Sequence, residues 1–350
     1  MDWKHIIKSD YKGYKVDIPD LPIKLSRNEN PYDIPLYIKE EVLKKLAETT
    51  WNRYPDGSAK KLKNKLSNFL GINPENLLLG TGSGEVIQII FNGLLREGDE
   101  VVLPIPTFPL YEKLLQQKNV RIIKIYLNEK DFSLDFEKLR ETFKNNPKLL
   151  ILTNPNNPTG NFLIKERDLE KISDFSGFIL IDEAYFEFSG LTFLPYINQL
   201  PNLLILRTFS KAFSSAGVRL GYLITNSKVV EYLDNFRLPY NLNIFSQIAG
   251  EILLSYWDHL KEKIDIIKRE KERVYNKMKT MDKIIVYPSV TNFILFRSDK
   301  KDEILKKCEE NGISLRDFSK EPHLENCLRV SIGDKKENDL FLKILSEVLS

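Results

Sequence analysis

Short apolar runs alternate along this chain with longer stretches of helical period. Leu77 to Leu79, Val101 to Leu103, Arg121 to Tyr126, Leu149 to Leu152, Gly177 to Ile181, Leu203 to Leu206 and Leu220 to Ile224 each read as strands. Apolar positions spaced three and four apart predict helices between several of them, over Glu85–Leu95, near Tyr111–Gln117 and near Phe136–Phe143. Strands that alternate with helices predict an α/β fold with a mostly parallel central sheet and right-handed crossovers. Upstream, Ile34–Thr50 and Ala59–Leu70 have helical period, and Gly71 ends the second of these. Residues 1–30 lack a period, hold Pro19 and Pro22, and read as an extended arm. From Ile248 to Met281 the pattern is one charged, helical stretch. Strands over Lys283–Tyr287, Phe293–Phe296 and Leu328–Ile332 follow it. The expected organisation is an arm over 1–30, a large domain over 31–245 and a smaller α+β domain over 246–350, with the long helix as the element between them.

Composition narrows the chemistry. The 350 residues carry 52 Lys+Arg against 49 Asp+Glu, a formal net charge of +3. So even a balance gives no reason to expect nucleic acid or an anionic membrane as partner. Two cysteines, Cys308 and Cys327, lack metal-ligand spacing. Three histidines, His5, His259 and His323, fall in no ligand pattern, so no metal is expected. The first residues, MDWKHIIKSD, do not read as a signal peptide, and no run approaches membrane-spanning length. A cytoplasmic protein is the expectation.

Four features fall at the carboxyl ends of strands, where open α/β sheets bind ligands. Gly82-Ser83-Gly84 follows a strand and opens a helix, so its backbone N–H groups can hold an anion. A tight strand-to-helix turn would explain these three residues equally well. Asn154-Pro155-Asn156-Asn157-Pro158-Thr159-Gly160 fixes a loop rich in amide donors after the fourth strand. Asp182 ends the apolar run Ile179-Leu180-Ile181, and a carboxylate buried there needs a cationic partner. Thr208-Phe209-Ser210-Lys211 sets two hydroxyls before a lysine, with Arg219 eight residues on. That grouping suits a dianion beside a lysine nucleophile.

Together these motifs resemble the fold-type-I enzymes of pyridoxal 5′-phosphate (PLP), in the class I/II aminotransferase group. Three further stretches, Arg27-Asn28-Glu29-Asn30-Pro31, Arg53-Tyr54-Pro55-Asp56 and Leu328-Arg329-Val330-Ser331-Ile332-Gly333, resemble histidinol-phosphate aminotransferases in particular. The resemblance runs from about Lys24 to Gly333. It implies that Lys211 carries PLP as a Schiff base and moves the proton, that Asp182 pairs with the ring nitrogen, and that Asn157 and Tyr185 bond the ring hydroxyl. It implies that Phe108 stacks on the ring, where the family more often has Tyr. It implies that Ser83, Gly84, Thr208, Ser210 and Arg219 hold the phosphate, and that Tyr54 reaches the phosphate of a neighbouring subunit, hence a homodimer with shared sites. Arg329 would anchor the anionic group of the substrate with Arg316 beside it, and Tyr14, or else Tyr11, would close over it. Histidinol phosphate and 2-oxoglutarate, giving glutamate, are the implied small-molecule substrates. An aromatic or broad-specificity aminotransferase, a threonine-phosphate decarboxylase and a non-catalytic PLP-fold binding protein stay open as alternatives.

Overall fold

A computed structural model describes residues 18–350. In chain order the strands are β1 (Ile23–Lys24), β2 (Leu77–Gly80), β3 (Glu100–Ile105), β4 (Arg121–Tyr126), β5 (Leu149–Thr153), β6 (Phe178–Asp182), β7 (Leu203–Thr208), β8 (Gly221–Ile224), β9 (Ile285–Val286), β10 (Phe293–Arg297), β11 (Ile313–Ser314), β12 (Arg316–Asp317) and β13 (Cys327–Ser331). Seven form one sheet in the order β2-β8-β7-β6-β5-β3-β4. Pairing is parallel from β7 through β6, β5 and β3 to β4, and β8 alone is reversed against both its neighbours. The expected parallel sheet is therefore present, with one exception that has a simple cause. The Phe209–Leu220 connection, which holds Lys211, contains only a short 3-10 turn, Ala216–Val218, and no crossover helix. A connection of this kind returns the chain antiparallel.

Side-chain alternation divides the core into two layers. Leu150, Leu152, Ile179, Ile181 and Ile205 pack into one buried cluster, and Leu149, Ile151, Leu180, Leu204 and Leu206 into the other. Successive residues of a strand point to opposite faces. Both faces of β5, β6 and β7 are thus covered, which explains why these runs are apolar throughout rather than alternating.

Several boundaries moved from the expected ones. The helix expected from Glu85 starts at Gly82, because Glu85 Oε2 accepts the Thr81 N–H at 2.5 Å and so caps the first turn. The stretch expected as one helix near 248–281 is two, Ile244–Ser255 and Trp257–Lys279, broken at Tyr256. Asn243 begins the first of these by accepting the Ser246 N–H at 2.8 Å. A helix over Ser227–Asp234 was not expected; Asn226, which accepts from Lys228 N, was its signal in the sequence. Near the amino end β1 pairs in parallel with β11, which ties the segment read as an arm to the carboxyl-terminal part of the chain. There β9, β10, β12 and β13 form a four-stranded antiparallel sheet in the order β12-β13-β10-β9. Among the described residues no helix is long and apolar enough to cross a membrane.

Candidate active site

The carboxyl ends of the parallel strands open onto one cleft of about 550 Å³. Ser83, Gly84, Phe108, Asn157, Asp182, Tyr185, Thr208, Ser210, Lys211, Arg219, Arg316 and Arg329 all line it. Twelve of the fourteen site residues read from the sequence are thereby brought together. Tyr54 does not join them in its own chain; the residue is 80% exposed and its ring stacks on Tyr240 with ring centres 4.4 Å apart. Tyr14 and Tyr11 lie outside the described residues.

Asp182 closes β6 with its carboxylate buried. Tyr111 Oη donates to Oδ2 at 2.7 Å and the Ala184 N–H donates to Oδ1 at 3.0 Å. Burial pushes the carboxyl up to about 6, and the hydrogen bonds from Tyr111 and Ala184 pull it back. Both donors are neutral, so a cationic N–H would be the partner this carboxylate is best served by. Tyr111 was not foreseen from the sequence. It lies 71 residues from Asp182, and a Tyr on an amphipathic helix gives no local sign of such a bond.

Lys211 Nζ donates to the Arg27 carbonyl at 2.8 Å. Its amine is lowered to about 8, first by desolvation and then by the positive field of Arg329. A lysine so placed holds a usable fraction of free amine near neutrality.

The far end of the cleft is an anion cradle. Thr208 Oγ1 bonds Ser210 Oγ at 2.9 Å, and the helix Gly82–Leu94 points its amino end at the same space. Gly82 sits at φ +74°, and a Cβ there would lie 2.4 Å from Arg219 Nη2. The guanidinium thus rests where a side chain would stand. Arg219, itself at φ +57°, is held by a 3.1 Å bond from Nη1 to the Ala216 carbonyl. Gly82 thus serves this close approach rather than turn geometry alone.

At the opposite end, Arg316 and Arg329 are register partners on the antiparallel pair β12–β13. Their guanidinium carbons sit 5.6 and 5.1 Å from the centre of the Phe318 ring. Arg329 is buried, and donates to the Ser26 carbonyl at 2.7 Å and to Asn157 Oδ1. Arg316 is a cleft residue here and not an ordinary surface cation. Tyr185 is buried, with its hydroxyl accepting from Asn28 Nδ2 at 2.8 Å. Phe108 stands edge-on to Tyr111, ring centres 6.1 Å apart.

These donors fit PLP. A phosphate dianion matches the Gly82 cradle with Arg219, a protonated ring nitrogen matches the buried Asp182, and an aldehyde matches the amine of Lys211. When bound, PLP supplies an electron sink for bonds broken at an amino carbon.

Fold and cleft define an enzyme of amino-group chemistry, and comparison with known proteins agrees. The sequence pattern of the aminotransferase class I and II family matches residues 21–345, and the chain belongs to that family of PLP-dependent transaminases. Histidinol-phosphate aminotransferase from Pyrococcus furiosus is 38% identical over 349 residues, covering 100% of this chain and 98% of its own. The enzyme of that name from Caldanaerobacter subterraneus subsp. tengcongensis is 36% identical over 356 residues, covering 99% of each. Among solved structures, histidinol-phosphate aminotransferase from Sinorhizobium meliloti in complex with PLP shares the fold, with a TM-score of 0.85, 24% identity, and 94% of this chain and 91% of its own covered.

Proposed function

We propose that the enzyme transfers the amino group of L-histidinol phosphate to 2-oxoglutarate, giving imidazole acetol phosphate and glutamate. The observation that carries this reading is the pair Arg316 and Arg329, side by side on adjacent strands over one cleft. One arginine suffices for a carboxylate, whereas two suit the dianionic phosphate of the donor. The full-length relatives at 36–38% identity carry the same substrate in their names.

The lining of the cleft and the family resemblance together support these roles. Lys211 Nζ would bind the cofactor and, once free, carry the proton between the substrate's amino carbon and the cofactor carbon that holds the nitrogen. Asp182 holds the cofactor's ring nitrogen protonated, with Tyr111 fixing the carboxylate. Asn157 and Tyr185 bond the ring hydroxyl, and Phe108 covers one face of the ring. Ser83, Gly84, Thr208, Ser210 and Arg219 hold the phosphate of PLP. Arg329 and Arg316 hold the anionic end of either substrate, and Tyr14 closes over it. Residues 31–245 form the cofactor domain, 246–350 the smaller domain and 1–30 the arm. Tyr54 completes the site of a second copy in a homodimer, and its 80% exposure leaves it open to one. The enzyme works in the cytoplasm.

The test is Arg316→Ala. Its kcat/KM for histidinol phosphate should fall roughly 10- to 100-fold, the scale of one hydrogen bond to a charged group. Loss with the carboxylate substrates glutamate and 2-oxoglutarate should be smaller. Equal losses for both classes would remove the basis for a phosphorylated substrate.

A further inference from the structure

Residues 26–28 cross the cleft and touch three of its working groups. The Ser26 carbonyl accepts from Arg329, the Arg27 carbonyl accepts from Lys211, and the Asn28 side chain donates to Tyr185. The first two contacts use backbone, which many sequences could supply. The third needs the side chain of Asn28, a residue that carried no role in the sequence reading beyond its place in a motif.

Asn28 is buried, 1% exposed, and stands at φ +55°. Asparagine is among the few side-chain-bearing residues that tolerate this left-handed backbone. Its bonds form a directed set. The Asn28 N–H donates to Ser331 Oγ at 2.8 Å, and Ser331 Oγ donates in turn to Asn28 Oδ1 at 3.1 Å. Asn292 Nδ2 donates to the Asn28 carbonyl at 3.1 Å. With Oδ1 accepting from Ser331, Nδ2 faces Tyr185 and donates to its Oη at 2.8 Å. Ser331 ends β13, two residues beyond Arg329. The path therefore runs from the strand that bears the substrate arginine, through Asn28, to a hydroxyl in the cofactor cleft.

We infer that Asn28 is a positioning residue that makes Tyr185 a hydrogen-bond donor toward the cofactor's ring oxygen. A phenol that accepts a hydrogen bond is a stronger donor through its own proton. Donation to the ring oxygen favours its anionic form and so lowers the pH at which the bound cofactor loses its proton. The inference rests on the role given to Tyr185 in the proposed function.

The test is the pH titration of the visible absorbance of the PLP-loaded enzyme, without substrate. Three variants are compared with wild type: Asn28→Gly, Tyr185→Phe and the double variant. Glycine keeps the left-handed backbone and removes only the side chain. Tyr185→Phe should raise the midpoint, and Asn28→Gly should raise it by about half a pH unit, part of the worth of one charge-assisted bond. In the double variant, Asn28→Gly should add nothing to Tyr185→Phe. No shift in Tyr185→Phe would remove the role given to Tyr185, and this inference with it. A shift in Tyr185→Phe but none in Asn28→Gly would sink the inference alone. An Asn28→Gly shift that persists in the Tyr185→Phe background, or loss of bound cofactor in Asn28→Gly, would mean that Asn28 acts by another route and would likewise overturn it.

Discussion

Burial moves Lys211 and Asp182 in opposite directions, and both shifts suit the proposed chemistry. The lysine amine is lowered to about 8 and the carboxyl raised to about 6. The fraction of Lys211 present as free amine therefore grows as pH rises through about 8, well below the range of an exposed lysine. Uptake of PLP by protein stripped of cofactor should accelerate with pH and level off above that midpoint, as followed by visible absorbance. A midpoint above about 10 would contradict the desolvated placement. Lys211→Ala should show neither the absorbance band nor turnover. Asp182→Asn should keep a binding cleft but lose about 100- to 1,000-fold in kcat, the scale of removing one preorganised electrostatic partner. At this scale the candidate site was legible where its residues sit in a contiguous motif. Asp182 ends an apolar run, and Lys211 follows two hydroxyl residues within four positions. Tyr111 and Asn28 were not assigned roles, because their partners lie 71 and 157 residues away and only the fold joins them.

At the level of elements, the site depends on how β6, β7 and the 82–94 helix end. Glu183, just after the end of β6, and Arg207, one residue before the end of β7, turn away from the cleft and pair in the interior. Arg207 Nε and Nη2 reach Glu183 Oε2 at 3.0 and 2.8 Å, with both side chains 1% exposed or less. Removing one partner strands the other charge in the core. Arg207→Ala should cost about 3–5 kcal/mol of stability, read as a lowered denaturant midpoint. At the helix end, Gly82→Ala should displace Arg219 and weaken PLP retention at least about tenfold, the equivalent of one modest hydrogen bond. Near-native stability with unchanged PLP affinity would show that Arg219 does not depend on that gap. Strands were easy to read from apolar runs, since β5 to β8 are buried on both faces. The break at Tyr256 was not, because helical period continues on both sides of it. The reversed direction of β8 was equally hidden, since direction depends on the connection and not on the strand's own residues.

For the whole molecule, the order of elements implied the layered α/β sheet, and the family assignment covers residues 21–345. What no local pattern conveys is how β1 joins β11, or how Arg316 comes to lie beside Arg329. Subunit exchange tests the proposed sharing of sites. A mixed dimer of Lys211→Ala with Tyr54→Ala regains one intact site, with Lys211 from one copy and Tyr54 from the other. Mixing the two inactive or weakened proteins should therefore restore activity, whereas sites confined to single chains would gain nothing from mixing.

The most direct measurement is a donor screen on the PLP-loaded enzyme. Histidinol phosphate, aromatic amino acids and threonine phosphate are each supplied with 2-oxoglutarate, and both glutamate and carbon dioxide are measured. The account predicts that histidinol phosphate gives glutamate with the highest kcat/KM and that no donor releases carbon dioxide. Carbon dioxide from threonine phosphate without glutamate, or faster transfer from an unphosphorylated aromatic donor, would contradict it.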